Sequence, residues 1–305
     1  MKIKIFLFLI GVVLVFPNPA AAGDPAVKYP QYLRLTGNDS LSVQISEPAD
    51  AASPPLQNCL FCPDYPKLFV RDVKHVFTAP LQWNAGGWAT AFAAGGVIVG
   101  TAVYFDRNIE TAMQDHRSHT TNRIASVFEP FGAIYSAGIL GGFYLAGAAF
   151  KNDKVEAVGL DGLSATLIAS GIIATSVKEV AGRSRPRDHE GTTHFSPFSG
   201  KHSFPSGHAT QAFVTASVLS AHYPTPWVEI PAYGIAAMVG FARIDHNAHF
   251  ASDVLAGAFL GTSVGYAVVY FNDTQRAAGP NGEARVALAP LSDPEVPGVE
   301  VILNF

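Results

Sequence analysis

Cysteine and charge are what this chain has least of. Cys59 and Cys62 are the only two cysteines in 305 residues, so no second CxxC exists to complete a tetrahedral thiolate site. Alone, the pair can be a redox couple, half of a zinc site or a local disulfide. In an oxidising compartment a small disulfide loop is the preferred reading. Charged residues make up 14% of the chain against 49% hydrophobic, and the net charge of −4 leaves no basic surplus. That balance argues against nucleic acid as a partner, because phosphate backbones are held by clustered Lys and Arg. So little charge is also unusual for a soluble enzyme. It points to a membrane or to a deeply buried helical core.

What is present begins with a leader. Lys2 and Lys4 precede an apolar run over 5–16, and Ala20, Ala21 and Ala22 offer a small-residue cleavage site, so residues 1–22 read as a signal peptide. The run is shorter than the ~20 residues that cross a bilayer. Export is expected, with an uncut short anchor as the alternative. Loss of Lys2 and Lys4 would take the charge from −4 to −6. Residues 23–75 are rich in Pro, Asp and Ser and read as an irregular extension.

Residues 76–275 carry six uncharged stretches, at 86–105, 131–150, 162–177, 209–223, 230–242 and 254–272. Their lengths suit helices, and their Ala and Gly content permits close helix approach. The expected fold is all-α, a six-helix bundle whose helices either span a membrane or pack in a soluble core. In the tail, 276–305, Val299, Val301, Leu303 and Phe305 alternate with Glu300 and Asn304, although Ile302 breaks the polar face. A short C-terminal β-ribbon follows, with 286–289 as the partner strand.

Three clusters between these helices carry chemistry. In Lys178-Glu-Val-Ala-Gly-Arg-Ser-Arg185-Pro186, two cations seven residues apart share a face if the helix continues, and Pro186 stops it. In Phe204-Pro205-Ser206-Gly207-His208, a hydroxyl and free backbone N–H groups at a helix start make an anion site with an imidazole at its rim. In Arg243-Ile-Asp-His246-Asn-Ala-His249-Phe-Ala-Ser-Asp253, His249 and Asp253 are four apart, so the carboxylate can accept the imidazole's second N–H. Singly, each fits an ordinary helix end, cap or solvated pair.

Together, in this order, K-x6-RP, PSGH and R-x5-H-x3-D resemble the type 2 phosphatidic acid phosphatase (PAP2) and vanadium haloperoxidase superfamily, over roughly 76–272. One position departs: Ala242 stands where the family usually has serine beside the arginine. The resemblance implies that Lys178, Arg185 and Arg243, with the Ser206 hydroxyl and the Gly207 N–H, bind a phosphate. It also implies that His249 attacks phosphorus, Asp253 stabilises the resulting imidazolium, and His208 serves as general acid and then base. Such a mechanism needs no metal or cofactor, and vanadate would bind as a phosphate analogue.

The expected substrate is a phosphorylated lipid or a small phosphate ester. The expected location is the cell envelope, membrane-associated, with the site facing the periplasm; composition is silent on oligomeric state. A vanadium-dependent haloperoxidase and a non-catalytic phospholipid-binding envelope protein are the competing readings. His189, His194, His202 and His246 read as solvated loop residues. Glu129-Pro130, Trp83 and Trp88 read as helix or membrane boundary features.

Overall fold

The computed structural model describes residue 60, residues 65–277 and two strands at 285–290 and 299–304. The leader, Cys59, Cys62 and most of the 23–75 extension lie outside the described residues. Eight continuous helices follow one another: α1 (Tyr65–Thr78), α2 (Ala85–Asp115), α3 (His119–Phe128), α4 (Ile134–Phe150), α5 (Asp153–Ala181), α6 (Gly207–His222), α7 (Pro226–Asp245) and α8 (Ala251–Ala277). The class is all-α. The tail strands β1 (Arg285–Pro290) and β2 (Val299–Asn304) run antiparallel, with Val286 opposite Leu303 and Leu288 opposite Val301.

Among the described residues the helices number eight, not six, and both additions have a physical cause. In α1, Leu68, Phe69, Asp72, Val73 and Val76 recur at helical spacing, and Phe69, Val73 and Val76 pack on the main core. A boundary at residue 75 therefore falls inside a helix. Its polar outer face hides it from any search for uncharged runs. Likewise α3 is short and polar, but it starts on a capping box in which Ser118 and Thr121 satisfy each other's backbone N–H groups.

The site is positioned by α6 and α8, which touch along a seam of small residues. Gly257, Gly261 and Gly265 recur every fourth residue on α8. A Cβ there would lie 2.6 Å from the Ser206 carbonyl, 2.3 Å from the Thr210 carbonyl and 1.9 Å from Ser217 Oγ, so only hydrogen fits. Around this seam Val158 and Ile168 of α5, Val214 and Val218 of α6 and Val268 of α8 are fully buried. Each such side chain contributes about 1.5–3 kcal/mol over its exposed state. Helices packed this closely carry their N-terminal turns to the same place: the Ser206 N–H donates to the Asp253 carbonyl at 2.9 Å.

Among the described residues, α2, α5 and α8 are long and apolar enough to cross a membrane, and α3 with α4, bent by 43°, makes a fourth candidate if taken as one broken span. The stretches 209–223 and 230–242 fall in α6 and α7, which do not qualify. The α2 helix presents Phe92, Val99, Tyr104 and Phe105 to the outside, each more than half exposed. A π-helical turn at Thr101–Phe105 then rotates the chain, and Asp106 just beyond it is buried.

Candidate active site

The first cluster does not stay helical. The α5 helix ends at Ala181, and Gly182 takes the left-handed conformation at φ +54°, its N–H donating to the Lys178 carbonyl at 2.9 Å. A Cβ on Gly182 would sit 1.8 Å from the Ser196 carbonyl. The chain therefore leaves the helix four residues before Pro186, and Arg185 reaches the site from extended backbone rather than from the face of α5. Lys178 stays in the last turn of α5, and its Nζ is 3.2 Å from where a Cβ on Gly207 would be.

Ser206 is the N-cap of α6; its Oγ accepts from the Ala209 N–H at 3.5 Å, and the residue is fully buried. His208, the second residue of α6, is half-buried. Its pKa is pushed below the usual imidazole value by burial, then by the positive charges of Lys178 and Arg185. Arg243 lies in the last turn of α7, and the loop after it folds back so that the Ala248 and His249 N–H groups donate to the Arg243 carbonyl at 3.1 and 3.2 Å. Ala242, beside it, is fully buried. Lys178, Arg185, Ser206, Gly207, His208, Arg243, His249 and Asp253 are thus brought to one end of the bundle.

The histidine–carboxylate pair differs from the simple i, i+4 expectation. His249 precedes α8, and its Nδ1 is 2.7 Å from the Ser203 carbonyl and 3.7 Å from Asp253 Oδ2. A carbonyl oxygen only accepts, so Nδ1 carries the proton and the Nε2 lone pair is left for chemistry. Burial pushes the His249 pKa down; Asp253 opposes that, and Arg243 and Lys178 reinforce it. Asp253 is spent elsewhere. Its Oδ1 accepts from Arg183 at 2.5 Å, and its Oδ2 accepts from Ser203 Oγ at 2.6 Å and from the Phe250 N–H at 2.9 Å. The carboxylate orients His249 chiefly by holding Ser203.

Arg183 is the residue that sequence reasoning passed over, although it lies inside the first cluster. It is fully buried, donates to Asp253, to Asp106 at 2.8 Å and to Ser252 Oγ at 2.7 Å, and stacks its guanidinium 4.5 Å from the Phe250 ring. Ser203, Asp106 and Glu129 were missed as well. Ser203 abuts the Phe204–His208 run and was within reach of the motif; Asp106 is distant in sequence and gave no signal, and Glu129 read only as a boundary feature. Of the other histidines, His189 and His194 are exposed, and His202 pairs with Glu179 at 2.7 Å. His246 is not solvated: its side chain is 20% exposed, and Nδ1 lies 2.7 Å from Glu129.

A metal has a weaker claim. Asp161, His222 and Asp273 place ligand atoms within 4.8 Å of one another at the other end of the bundle, but Arg276 already donates to both oxygens of Asp161.

The stretch that carries these groups matches a known family model. A model of the PAP2 superfamily matches residues 162–277, which contain all three clusters. Over that stretch the chain resembles the PAP2 superfamily. Similar proteins include a lipid A 1-phosphatase of Porphyromonas gingivalis, 40% identical over 73 residues, which are 23% of this chain and 16% of that protein. A lipid A 1-phosphatase of Rhizobium johnstonii is 29% identical over 198 residues, 60% of this chain and 78% of that one. The chain thus spans a small part of the first relative and most of the second. Among solved structures, the transmembrane PAP2-type phosphatidylglycerolphosphate phosphatase of Bacillus subtilis aligns over 69% of this chain and 96% of its own, at 27% identity and a TM-score of 0.44.

Proposed function

We propose that this chain is a metal-independent lipid phosphate phosphatase working through a phosphohistidine. The observation that carries the reading is an imbalance. Lys178 and Arg185 enter no ion pair among the described residues, and Arg243 is only partly engaged, while an imidazole of defined tautomer stands beside them. Cations left uncompensated in a half-buried site call for an anion.

In the proposed step, Lys178, Arg185 and Arg243 hold the equatorial oxygens of the phosphoryl group, with Ser206 and Gly207 at the α6 N-terminus. The Nε2 lone pair of His249 forms a bond to phosphorus as the bond to the ester oxygen breaks. His208 gives its proton to the departing alkoxide, then takes one from the water that attacks the phosphohistidine, releasing phosphate and restoring His249. A bound phosphate neutralises Lys178 and Arg185, which favours protonation of His208 when the general acid is needed. A lipid is favoured because an apolar crevice lined by Phe131, Ile139, Ala212, Leu219 and Ile235 lies between α4, α6 and α7. It adjoins the turn that touches His208. Two relatives act on lipid A by name, so lipid A is the first substrate to assay, beside phosphatidate and a water-soluble ester.

Purified protein in detergent and EDTA should release phosphate from one of these, and His249→Ala should lower the rate by at least ~10³-fold. Wild type quenched during turnover in alkaline SDS should carry alkali-stable, acid-labile phosphate on His249. Because burial and cations hold His208 and His249 below the ordinary 6.5, kcat/KM should peak on the acid side of that value. Substantial turnover by His249→Ala would end the covalent route, and abolition by EDTA would end the metal-independent one.

A further inference from the structure

Glu129-Pro130 reads in the sequence as a helix or membrane boundary feature, and none of the three clusters includes Glu129. In the structure it opens a 3-10 turn, Glu129–Gly132, that lies across the site. One carboxylate oxygen accepts from Arg243 Nη1 and the other is 2.7 Å from His246 Nδ1. At the far end of the same turn, a Cβ on Gly132 would lie 2.8 Å from both the Cβ and the carbonyl oxygen of His208. Four residues therefore contact two members of the phosphate site at once.

The atom that Glu129 takes matters. A guanidinium offers two fork-shaped edges, and occupying Nη1 leaves intact the edge formed by Nε and Nη2. Nε of Arg243 is buried and without a partner, and Nη2 makes no hydrogen bond among the described residues. An arginine held at Nη1 thus presents its side edge, already desolvated and fixed, to an incoming tetrahedral anion. His246, held by the other oxygen, fixes Glu129 in turn.

We propose that Glu129 is a positioning residue of the phosphate site, clamping Arg243 so that its Nε/Nη2 edge faces the anion. The inference builds on the proposed phosphate site, but binding can test it without turnover. Its signature is reach, not charge. Gln keeps the length and an acceptor for Nη1 but loses the charge. Asp keeps the charge but is one methylene too short to span Arg243 and His246.

The test is titration of full-length protein in detergent with inorganic orthovanadate, followed by calorimetry, for wild type, Glu129→Ala, Glu129→Gln, Glu129→Asp, Arg243→Ala and the double variant Glu129→Ala/Arg243→Ala. Expected are a loss of about 10-fold or more for Ala and Asp, retention within about 3-fold for Gln, and no further loss when Glu129→Ala is added to Arg243→Ala. Multiplying losses in the double variant, or rescue by Asp and not by Gln, would overturn the proposal. If Glu129→Ala does not fold, the order of Gln and Asp decides alone. Wild type that binds vanadate but releases no phosphate would count against the proposed activity and leave the clamp standing.

Discussion

The two ends of the bundle bury similar sets of charged side chains and balance them differently. At the end described above, Arg183 joins Asp253 and Asp106, while Lys178 and Arg185 stay outside any ion pair among the described residues. On the order of 25 Å away along α5, Asp161 is closed on every side. It accepts from Asn272 at 2.9 Å and from Arg276 at 2.6 and 2.9 Å, and Nε2 of His222 is 3.0 Å away. The unpaired group there is a carboxyl, Asp72, whose two oxygens are buried and without hydrogen-bond partners among the described residues. One end leaves half-buried cations unpaired; the other turns its charges inward and ties α1, α5, α6 and α8 together. Buried charge alone does not mark a functional site. The sign and placement of what is left unpaired does.

The largest expected effect separates structure from chemistry within the active end. Arg183→Ala leaves Asp253 and Asp106 buried without a counter-ion and should destabilise the fold by about 3–5 kcal/mol. Arg276→Ala at the other end should cost less, because its side chain is 17% exposed and water can replace part of what it gives Asp161. Denaturant unfolding of both variants measures the difference. Equal losses would mean that the two networks play the same part.

Lys178→Ala should show the reverse pattern. Removing one of two neighbouring cations relieves repulsion with Arg185, so the melting temperature should hold or rise, while kcat/KM falls by about 10²-fold. A variant that loses stability and keeps activity would place Lys178 with the structural charges.

How much of this was readable beforehand follows the same division. The helical class and the six apolar stretches were legible, and the eight proposed site residues could be singled out, because all rest on local signals: uncharged runs, a Ser before a helix, cations next to Pro186. The partners were not. Arg183 sits in plain view in the first cluster, yet its importance comes from Asp106, which the π-turn of α2 swings inward from 77 residues away. Glu129 meets Arg243 across 114 residues. Spacing also misled where a glycine intervened, since two cations seven apart share a helical face only if nothing between them ends the helix, and Gly182 does. His249 and Asp253 are four apart as expected, but the backbone carbonyl of Ser203 takes the hydrogen bond that the spacing assigned to the carboxylate.

The smallest effect concerns Asp72, and it tests whether the far end is purely structural. Burial, then the charge of Asp161, push the Asp72 carboxyl up to about 7 from 3.8. Since the folded value lies above the unfolded one, the protonated group is favoured by folding. The stability it allows is fully present below the unfolded pKa and is lost as pH rises through about 7. The groups around it are Asp161, Ser164, Asn272 and Arg276, with Tyr65 on its own helix. Asp72→Asn keeps the shape and cannot ionise, so it should flatten the fall in melting temperature between about pH 5 and about pH 8 while leaving kcat/KM unchanged. A steep fall that survives the substitution would assign the pH dependence to another group. A change in kcat/KM would show that the two ends communicate, against the separation that their unlike charge balance implies.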